Sequence, residues 1–135
     1  MTTATTVLTV ESDPTKLPDL QARLDTLCRD AGLDDPAACE FTTAIIEAVT
    51  NSIKHGYQGE PGHLISVHWR RVHGSIDVKI RDRARPPPAG FLDRTEMPPP
   101  DAVSGRGVVM IRTYTDAASY ARVGDENVLN LTRRL

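Results

Sequence analysis

The alternation of apolar and polar residues divides the chain into strands and helices. From Thr5 to Val10, β-branched and apolar residues alternate in the manner of a strand. Asp13 and Pro14 then form a helix start, because aspartate caps a helix and proline suits its first turn. Apolar residues at three- and four-residue spacing predict a first helix from about Pro14 to Ala31, ended by Gly32.

A second, longer helix is predicted from the start signal Asp35-Pro36 to about His55. Its apolar side consists of Phe41, Ala44, Ile45, Ala48, Val49, Ser52 and Ile53. Leu64 to Val72 and Ile76 to Ile80 then predict a hairpin that turns at His73-Gly74-Ser75.

The last third of the chain contains a proline-rich loop, a short helix and a closing hairpin. Six prolines between Arg83 and Ser104 exclude a helix or a central strand there. Long loops in small domains are usually lids or binding loops, so we interpret residues 83 to 104 as a lid. A helix from about Arg106 to Tyr114 follows, and then strands at Ser119 to Val123 and Val128 to Thr132.

This order of elements predicts an α/β (α+β) fold with two layers. Strands grouped in hairpins favour a mixed, mostly antiparallel sheet, with the helices covering one face. No repeat or composition break indicates a second unit, so residues 1–135 are expected to form a single domain.

Composition excludes several classes of protein. The formal charge of -2 and the few aromatic residues disfavour direct nucleic-acid binding. The chain shows neither a secretory leader nor an apolar run of membrane-spanning length, so we expect a cytoplasmic protein without membrane association. Cys28 and Cys39 lack the spacing of redox or zinc sites, and both are interpreted as reduced packing residues.

Three segments are candidates for chemistry. Helical spacing places a carboxylate, an amide and cations on the polar side of the second helix, although a solvated helix face has the same pattern. These residues are Glu40, Glu47, Asn51, Lys54 and His55. Asp82 ends an apolar strand where the lid begins, and an acid in that place needs a partner such as an exocyclic amine. Ser104-Gly105-Arg106-Gly107 leads into a helix and suits phosphate binding through backbone N–H groups.

In order and spacing, these segments resemble the GHKL ATPase superfamily, whose fold is the Bergerat, or histidine-kinase-type, ATPase fold. The similarity is greatest to the anti-sigma-factor serine/threonine kinases of bacterial partner-switching systems. It rests on Glu47-Ala-Val-Thr-Asn51-Ser-Ile-Lys54-His55-Gly-Tyr57, followed by Asp82 and by Gly105-Arg106-Gly107.

The resemblance implies ATP and Mg²⁺ as cofactors and assigns a role to each motif. It makes Glu47 the general base and Asn51 the Mg²⁺ ligand, while Asp82 holds the adenine amino group. It assigns phosphate contacts to the following residues, the first two as weaker neighbours: Lys54, His55, Gly105, Arg106 and Gly107. Among the lid-flanking arginines, only Arg106 is interpreted as a phosphate ligand; Arg83, Arg85 and Arg94 are interpreted as solvated.

The resemblance also implies a function. It predicts a kinase that phosphorylates a STAS-type anti-anti-sigma protein, sequesters a sigma factor and works as a homodimer. Three features depart from the family pattern: Ala84 in place of a glycine, the proline run that follows it, and Glu126-Asn127 in place of a Gly-Thr pair. They favour an alternative, a non-catalytic protein-sequestering module. A fragment of a sensor histidine kinase is a third reading, disfavoured because no long helical hairpin precedes the domain.

Overall fold

The computed structural model describes residues 4–93 and 106–135 of the chain. The strands are β1 (Thr6–Glu11), β2 (Leu64–Val72), β3 (Ser75–Asp82), β4 (Ala117–Val123) and β5 (Glu126–Arg134). The α-helices are α1 (Leu17–Asp30), α2 (Asp35–Asn51) and α3 (Arg106–Thr113). Short 3₁₀ turns occur at Pro14–Lys16 and Phe91–Asp93, and a π-helical turn at Ser52–Gly56.

The five strands form one sheet in the order β1-β2-β3-β5-β4, and every neighbouring pair is antiparallel. The predicted α/β fold with a mostly antiparallel sheet is therefore confirmed, and the described sheet contains no parallel pair. The closing hairpin is longer than predicted. Strand β4 begins two residues earlier, at Ala117, and β5 extends over Glu126–Arg134, because backbone pairing continues beyond the apolar stretch.

The core lies between one face of the sheet and the helices. The apolar residues of the predicted helix stripes pack against inward-facing residues of the strands, and Leu24, Phe41 and Ile45 are fully buried. Residues at alternate positions of a strand share one face, so Asp82 of β3 and Asn127 of β5 point to the same side as the core residues of their strands. Both are buried.

The helix starts agree with the sequence interpretation to within one residue. The Asp13 carboxylate accepts a hydrogen bond from the Thr15 N–H, and the first turn is 3₁₀ rather than α. At α2 the cap is Asp34, whose Oδ1 accepts from the Ala37 N–H at 2.9 Å, so Asp35 is the first helical residue. Cys28 is buried as predicted, whereas the packing role predicted for Cys39 is wrong, because Cys39 is exposed.

The second helix does not continue to His55 as an α-helix. It ends at Asn51 and passes into the π-helical turn, in which the Tyr57 N–H donates to the Ser52 carbonyl at 2.8 Å. This wider turn changes the direction of each side chain that follows Asn51, and π turns of this kind are common at functional sites. In the described part of the chain, none of the helices has both the length and the apolar character that crossing a membrane requires.

Candidate functional site

A cavity of about 520 Å³ lies between the end of α2, the sheet and α3. It is lined by Ala48, Asn51, Ser52, His55, Gly56, Ile80, Asp82, Ala84 to Phe91, Val108, Ile111, Tyr120, Asn127 and Leu129. The sequence-predicted residues Asn51 and Asp82 thus face the same space, although they come from different layers of the fold. Cavities of this size accommodate small molecules and cofactors.

On one side of the site, α3 covers the polar face of α2. Gly107 lies so close that a Cβ atom placed on it would be 2.7 Å from Glu47 Oε2 and 3.5 Å from Asn51 Oδ1. Glu47 and Asn51 are half-buried. This part of the helix is therefore not a solvated face, and three of the predicted site residues meet there.

On the other side, the Asp82 carboxylate is held by three hydrogen bonds from within the chain. The Ser52 hydroxyl donates to Oδ2 at 2.7 Å. The Ala84 N–H and Asn127 Nδ2 both donate to Oδ1, at 3.0 and 2.8 Å. A buried carboxylate requires such partners, so these bonds explain how an acid is accommodated at the end of an apolar strand.

Asn127 is itself fixed by further contacts. Its Oδ1 accepts from the Tyr120 hydroxyl at 2.6 Å and from Arg122 Nη1 at 2.8 Å. Its Nδ2 also donates to the Ala84 carbonyl, which accepts a second bond from Arg122 Nη1. We call these six residues, Ser52, Asp82, Ala84, Tyr120, Arg122 and Asn127, the Asp82 network. It joins the π-helical turn, β3, β4 and β5 at the cavity.

Ala84 packs directly against Gly56 of the π-helical turn. A Cβ atom placed on Gly56 would be only 2.5 Å from the Ala84 Cβ, a separation that real atoms do not reach. The methyl group by which Ala84 departs from the family pattern thus fills space that Gly56 leaves free on the π-helical turn. The departure is accommodated without opening the fold, since Ala84 is buried.

Tyr57 fixes the start of the segment that follows β3. Its hydroxyl accepts a hydrogen bond from the Arg83 N–H at 2.9 Å, and its ring stacks on His63 with centroids 4.3 Å apart. Partial burial raises the pKa of Tyr57, so the phenol is neutral at pH 7. Residues 83 to 85 therefore leave the sheet in a defined direction along the cavity.

The other predicted residues differ in their relation to the cavity, and neither Glu47 nor Gly107 belongs to its described lining. His55 is exposed but lines it, whereas Lys54 is exposed and is absent from the described lining. Arg106 begins α3 and is exposed. Gly105 and Arg94 lie outside the described residues. Arg85 is exposed, in agreement with its interpretation as a solvated loop residue, and it also lines the cavity.

Sequence reasoning did not assign Ser52, Tyr120, Arg122 or Asn127 to the site. Asn127 carried a usable signal, since it occupies the same alternating positions as Leu129 and Leu131 and must point into the core layer. Ser52 likewise fell on the apolar side of its helix. Polar side chains that face a core need hydrogen-bond partners, and in the structure both Ser52 and Asn127 donate to Asp82.

The described residues suit a Mg²⁺ ion that is held partly by the phosphates of a ligand, and not one that is held by protein side chains alone. No group of three or more His, Cys, Asp or Glu in residues 4–93 and 106–135 is arranged to hold a metal. Mg²⁺ is commonly held by one or two protein oxygens together with substrate phosphates and water. Asn51, which lines the cavity and has its Oδ1 near Gly107, offers one such oxygen.

Comparison with known proteins agrees with this geometry. Residues 10–133 match the family model described as the histidine kinase-like ATPase domain. In a crystal structure of the RsbU and RsbW domains of a Mycobacterium tuberculosis protein, a region superposes on 98% of this chain with a TM-score of 0.67. That region is 33% of the other chain and is 18% identical, so the likeness concerns the fold.

Curated relatives are similar over shorter stretches. An anti-sigma F factor of Oceanobacillus iheyensis is 33% identical over 93 residues, which are 62% of this chain and 61% of the relative. The serine-protein kinase RsbW of Listeria monocytogenes is 28% identical over 64% of this chain and 59% of its own length. An anti-sigma F factor of Halalkalibacterium halodurans is 43% identical over 51 residues, 36% of this chain and 35% of the relative. The matches thus span between about one third and three fifths of these relatives.

Proposed function

Since this chain belongs to the histidine kinase-like ATPase domain family, we propose that it binds Mg-ATP in the cavity and phosphorylates a serine of a partner protein. The observation that carries the proposal is that one cavity of about 520 Å³ is lined by both Asn51 and Asp82. An amide oxygen suited to a phosphate-bound cation and a carboxylate suited to a base amino group thereby face the same ligand.

Asn51, Glu47 and Gly107 form the phosphate side of the proposed site. Bound Mg-ATP supplies the γ-phosphoryl group and the cation that neutralises its charge. Asn51 presents its side-chain oxygen to that cation, and the missing side chain of Gly107 lets α3 approach Glu47 and Asn51 closely. Gly105, Arg106, His55 and Lys54 are proposed to complete the phosphate contacts, the last two as weaker neighbours. Phosphoryl transfer depends mainly on such positioning and charge stabilisation.

Glu47 is proposed as the general base. It lies one helical turn before Asn51 and is half-buried beneath α3, next to the position assigned to the phosphates. Its carboxylate accepts the proton of the acceptor serine as the hydroxyl oxygen attacks the γ-phosphorus, and the bond to the bridging oxygen of ADP breaks. A positioned base of this kind typically contributes roughly 10²- to 10⁴-fold to the rate.

The names of the relatives support the proposed partners. Two of them are named anti-sigma F factors and one a serine-protein kinase. We propose that the acceptor is a STAS-type anti-anti-sigma protein, that the chain sequesters a sigma factor when free of that protein, and that it acts in the cytoplasm as a homodimer. Affinity capture followed by mass spectrometry, with light scattering of the purified protein, tests these assignments.

A non-catalytic sequestering module is the second candidate. The observation that favours it is that three internal donors already bond to Asp82, which reduces what the carboxylate offers a nucleotide. Calorimetric titration with Mg-ATP separates the two candidates. Binding is expected, and its absence in the presence of the captured partner would leave only the sequestering function.

Catalysis is tested by transfer of radiolabelled γ-phosphate to the captured partner. Glu47→Ala and Glu47→Gln are expected to bind Mg-ATP but to transfer phosphate at least about 100-fold more slowly. Glu40→Gln is the matched control, since Glu40 is an acid on the same helix whose carboxylate pairs with Arg133 at 3.1 Å, whereas that of Glu47 lies beside Gly107. Undiminished transfer by both Glu47 variants would remove Glu47 as the base.

A further inference from the structure

We infer that Asn127 and Arg122 are positioning residues that hold the Asp82 carboxylate with one acceptor position open, so that the cavity selects a base bearing an exocyclic amino group. A base bearing a carbonyl oxygen at the same place is disfavoured. The inference rests on the proposed nucleotide-binding function and adds to it two residues of the closing hairpin. Asn127 stands where the family pattern has a Gly-Thr pair, and Arg122 belongs to none of the motifs of the resemblance.

The three side chains lie in register across the sheet. Asp82 of β3 is directly opposite Asn127 of β5, and Asn127 is directly opposite Arg122 of β4. Side chains that face each other across antiparallel strands are close enough for direct contact. The hairpin turn therefore fixes which residues meet Asp82, and a shift by one residue would turn both away from it.

Arg122 determines how the Asn127 amide is oriented. A guanidinium only donates hydrogen bonds, so the amide atom that faces Arg122 Nη1 at 2.8 Å must be the oxygen. The amide nitrogen is then directed to Asp82 Oδ1 and to the Ala84 carbonyl. With the Tyr120 hydroxyl on its oxygen, Asn127 uses all four of its hydrogen-bonding positions. It has no donor left for a ligand.

Asp82, in contrast, retains acceptor capacity. An ionised carboxylate has about four lone-pair positions, two on each oxygen. Two donors occupy Oδ1, the Ala84 N–H and Asn127 Nδ2, whereas only the Ser52 hydroxyl occupies Oδ2. The open position therefore belongs to Oδ2 of a residue that lines the cavity. A ligand group that meets it has to donate a hydrogen bond, as an amino group does and a carbonyl oxygen does not.

This arrangement discriminates between bases because a base without the amino group leaves the open position of the Asp82 carboxylate without a hydrogen-bond donor. A carbonyl oxygen in place of the amino group would face the carboxylate lone pair and strip water from it without replacing the bond. If Asn127 or Arg122 were removed, Asp82 would lose its fixed orientation. The amino group would then be bound less well, while binding of the carbonyl analogue would change little.

The test compares Mg-ATP with Mg-ITP, whose hypoxanthine base has a carbonyl oxygen where adenine has its amino group. The unaltered protein is expected to bind ATP roughly 10- to 100-fold more tightly. Asn127→Ala and Arg122→Ala should lose most of that preference through weaker ATP binding, with ITP affinity nearly unchanged. Asn130→Ala is the matched control, because it removes an amide of the same strand from the opposite face of the sheet.

A second measurement uses the protein without nucleotide. The Ala84 N–H donates to Asp82, so its hydrogen exchange should be at least about tenfold faster in Asn127→Ala and unchanged in Asn130→Ala. Arg122 lies on an exposed edge strand, and its variant keeps the test open if Asn127→Ala does not fold. Equal weakening of ATP and ITP, or a retained preference in the folded variants, would overturn the inference alone. Failure of the unaltered protein to bind either nucleotide would overturn the proposed function with it.

Discussion

Gly107 of α3 is in contact distance of Glu47 of α2, so closely that even a methyl group on Gly107 would come within 2.7 Å of the carboxylate oxygen Oε2. The position of the Glu47 carboxylate thus depends on the absence of a side chain at residue 107, although the two residues are far apart in the chain. Because the Glu47 carboxylate is the end of a flexible side chain, it is able to move aside, and the conflict affects its position more than the fold.

Gly107→Ala should consequently separate catalysis from stability. Alanine favours a helix over glycine by roughly 0.5–1 kcal/mol, which offsets the small cost of moving Glu47. Displacing a catalytic group by about 1 Å costs on the order of 100-fold in rate. We expect an unchanged or higher melting temperature and phosphate transfer slower by about 10- to 100-fold, measured by calorimetry and the radiolabel assay.

Gly74→Ala provides the control for this prediction. A Cβ atom on Gly74 would meet no atom within 4 Å, so the variant should leave transfer unaffected. Equal transfer by Gly107→Ala and the unaltered protein would mean that Glu47 does not need its present position.

Gly56→Ala should destabilise the fold, because its methyl group would overlap the Ala84 methyl group. Neither atom belongs to a flexible chain end, and overpacking of this kind costs about 1–3 kcal/mol. The double variant Gly56→Ala with Ala84→Gly moves the methyl group from one side of the contact to the other and should recover most of the loss. Urea unfolding of the four proteins measures the coupling free energy, and strictly additive effects would contradict a direct contact.

The two cysteines should differ sharply in reactivity. Cys28 is fully buried, and burial raises the pKa of its thiol, so thiolate is scarce and inaccessible. Cys39 is exposed on α2. With a disulfide reagent at pH 7.5, we expect one thiol to react in the folded protein and the second only after unfolding. Cys39→Ser should abolish the fast reaction; two thiols reacting at equal rates would show that Cys28 is not protected.

His68 should make the fold less stable in mild acid. It lies on the sheet face opposite the helices, where burial, with Arg81 and Lys79, lowers its pKa against the opposing effect of Glu126. A histidine with a lower pKa in the folded chain binds protons more readily when unfolded, so its stabilising effect is present above about pH 6.5 and is lost as the pH falls.

Urea unfolding at pH 7.5 and pH 5.5 tests this effect. His68→Gln should reduce the loss of unfolding free energy between the two pH values. His73→Asn serves as the control, because His73 is exposed and asparagine tolerates its positive φ of 46°. An identical pH dependence in the unaltered protein and in His68→Gln would exclude His68 as a contributor.

The strands and helices were predictable from local patterns because each buries one side. Alternation identified β1 to β3, and the three- and four-residue spacing identified α1 and α2. The ends of β5 were missed, since Glu126 and Arg134 pair through backbone hydrogen bonds that do not depend on apolar side chains. The change from α- to π-helix after Asn51 was also missed, as nothing in residues 52 to 55 disfavours a continued α-helix.

The candidate site was predictable in part, because some of its residues belong to local sequence motifs. Glu47, Asn51 and Asp82 belong to recognisable motifs, and the cavity that Asn51 and Asp82 share follows from the order of elements. The contacts of Arg122 with Asn127 and the Ala84 carbonyl depend on strand register across the closing hairpin. Such contacts depend on the relative register of β3, β5 and β4, so the sequence of any one strand does not predict them.

The packing of Ala84 on Gly56 bears on how this sequence should be aligned with others. One methyl group occupies a space that either position is able to fill, so whether a methyl group is tolerated at one position depends on the residue at the other. Chains that carry glycine at the position of Ala84 have room for alanine at the position of Gly56, and the two columns should vary together. The alanine at position 84 looks like the loss of a family motif when that position is considered alone. Considered together with Gly56, it is a substitution that the fold accommodates.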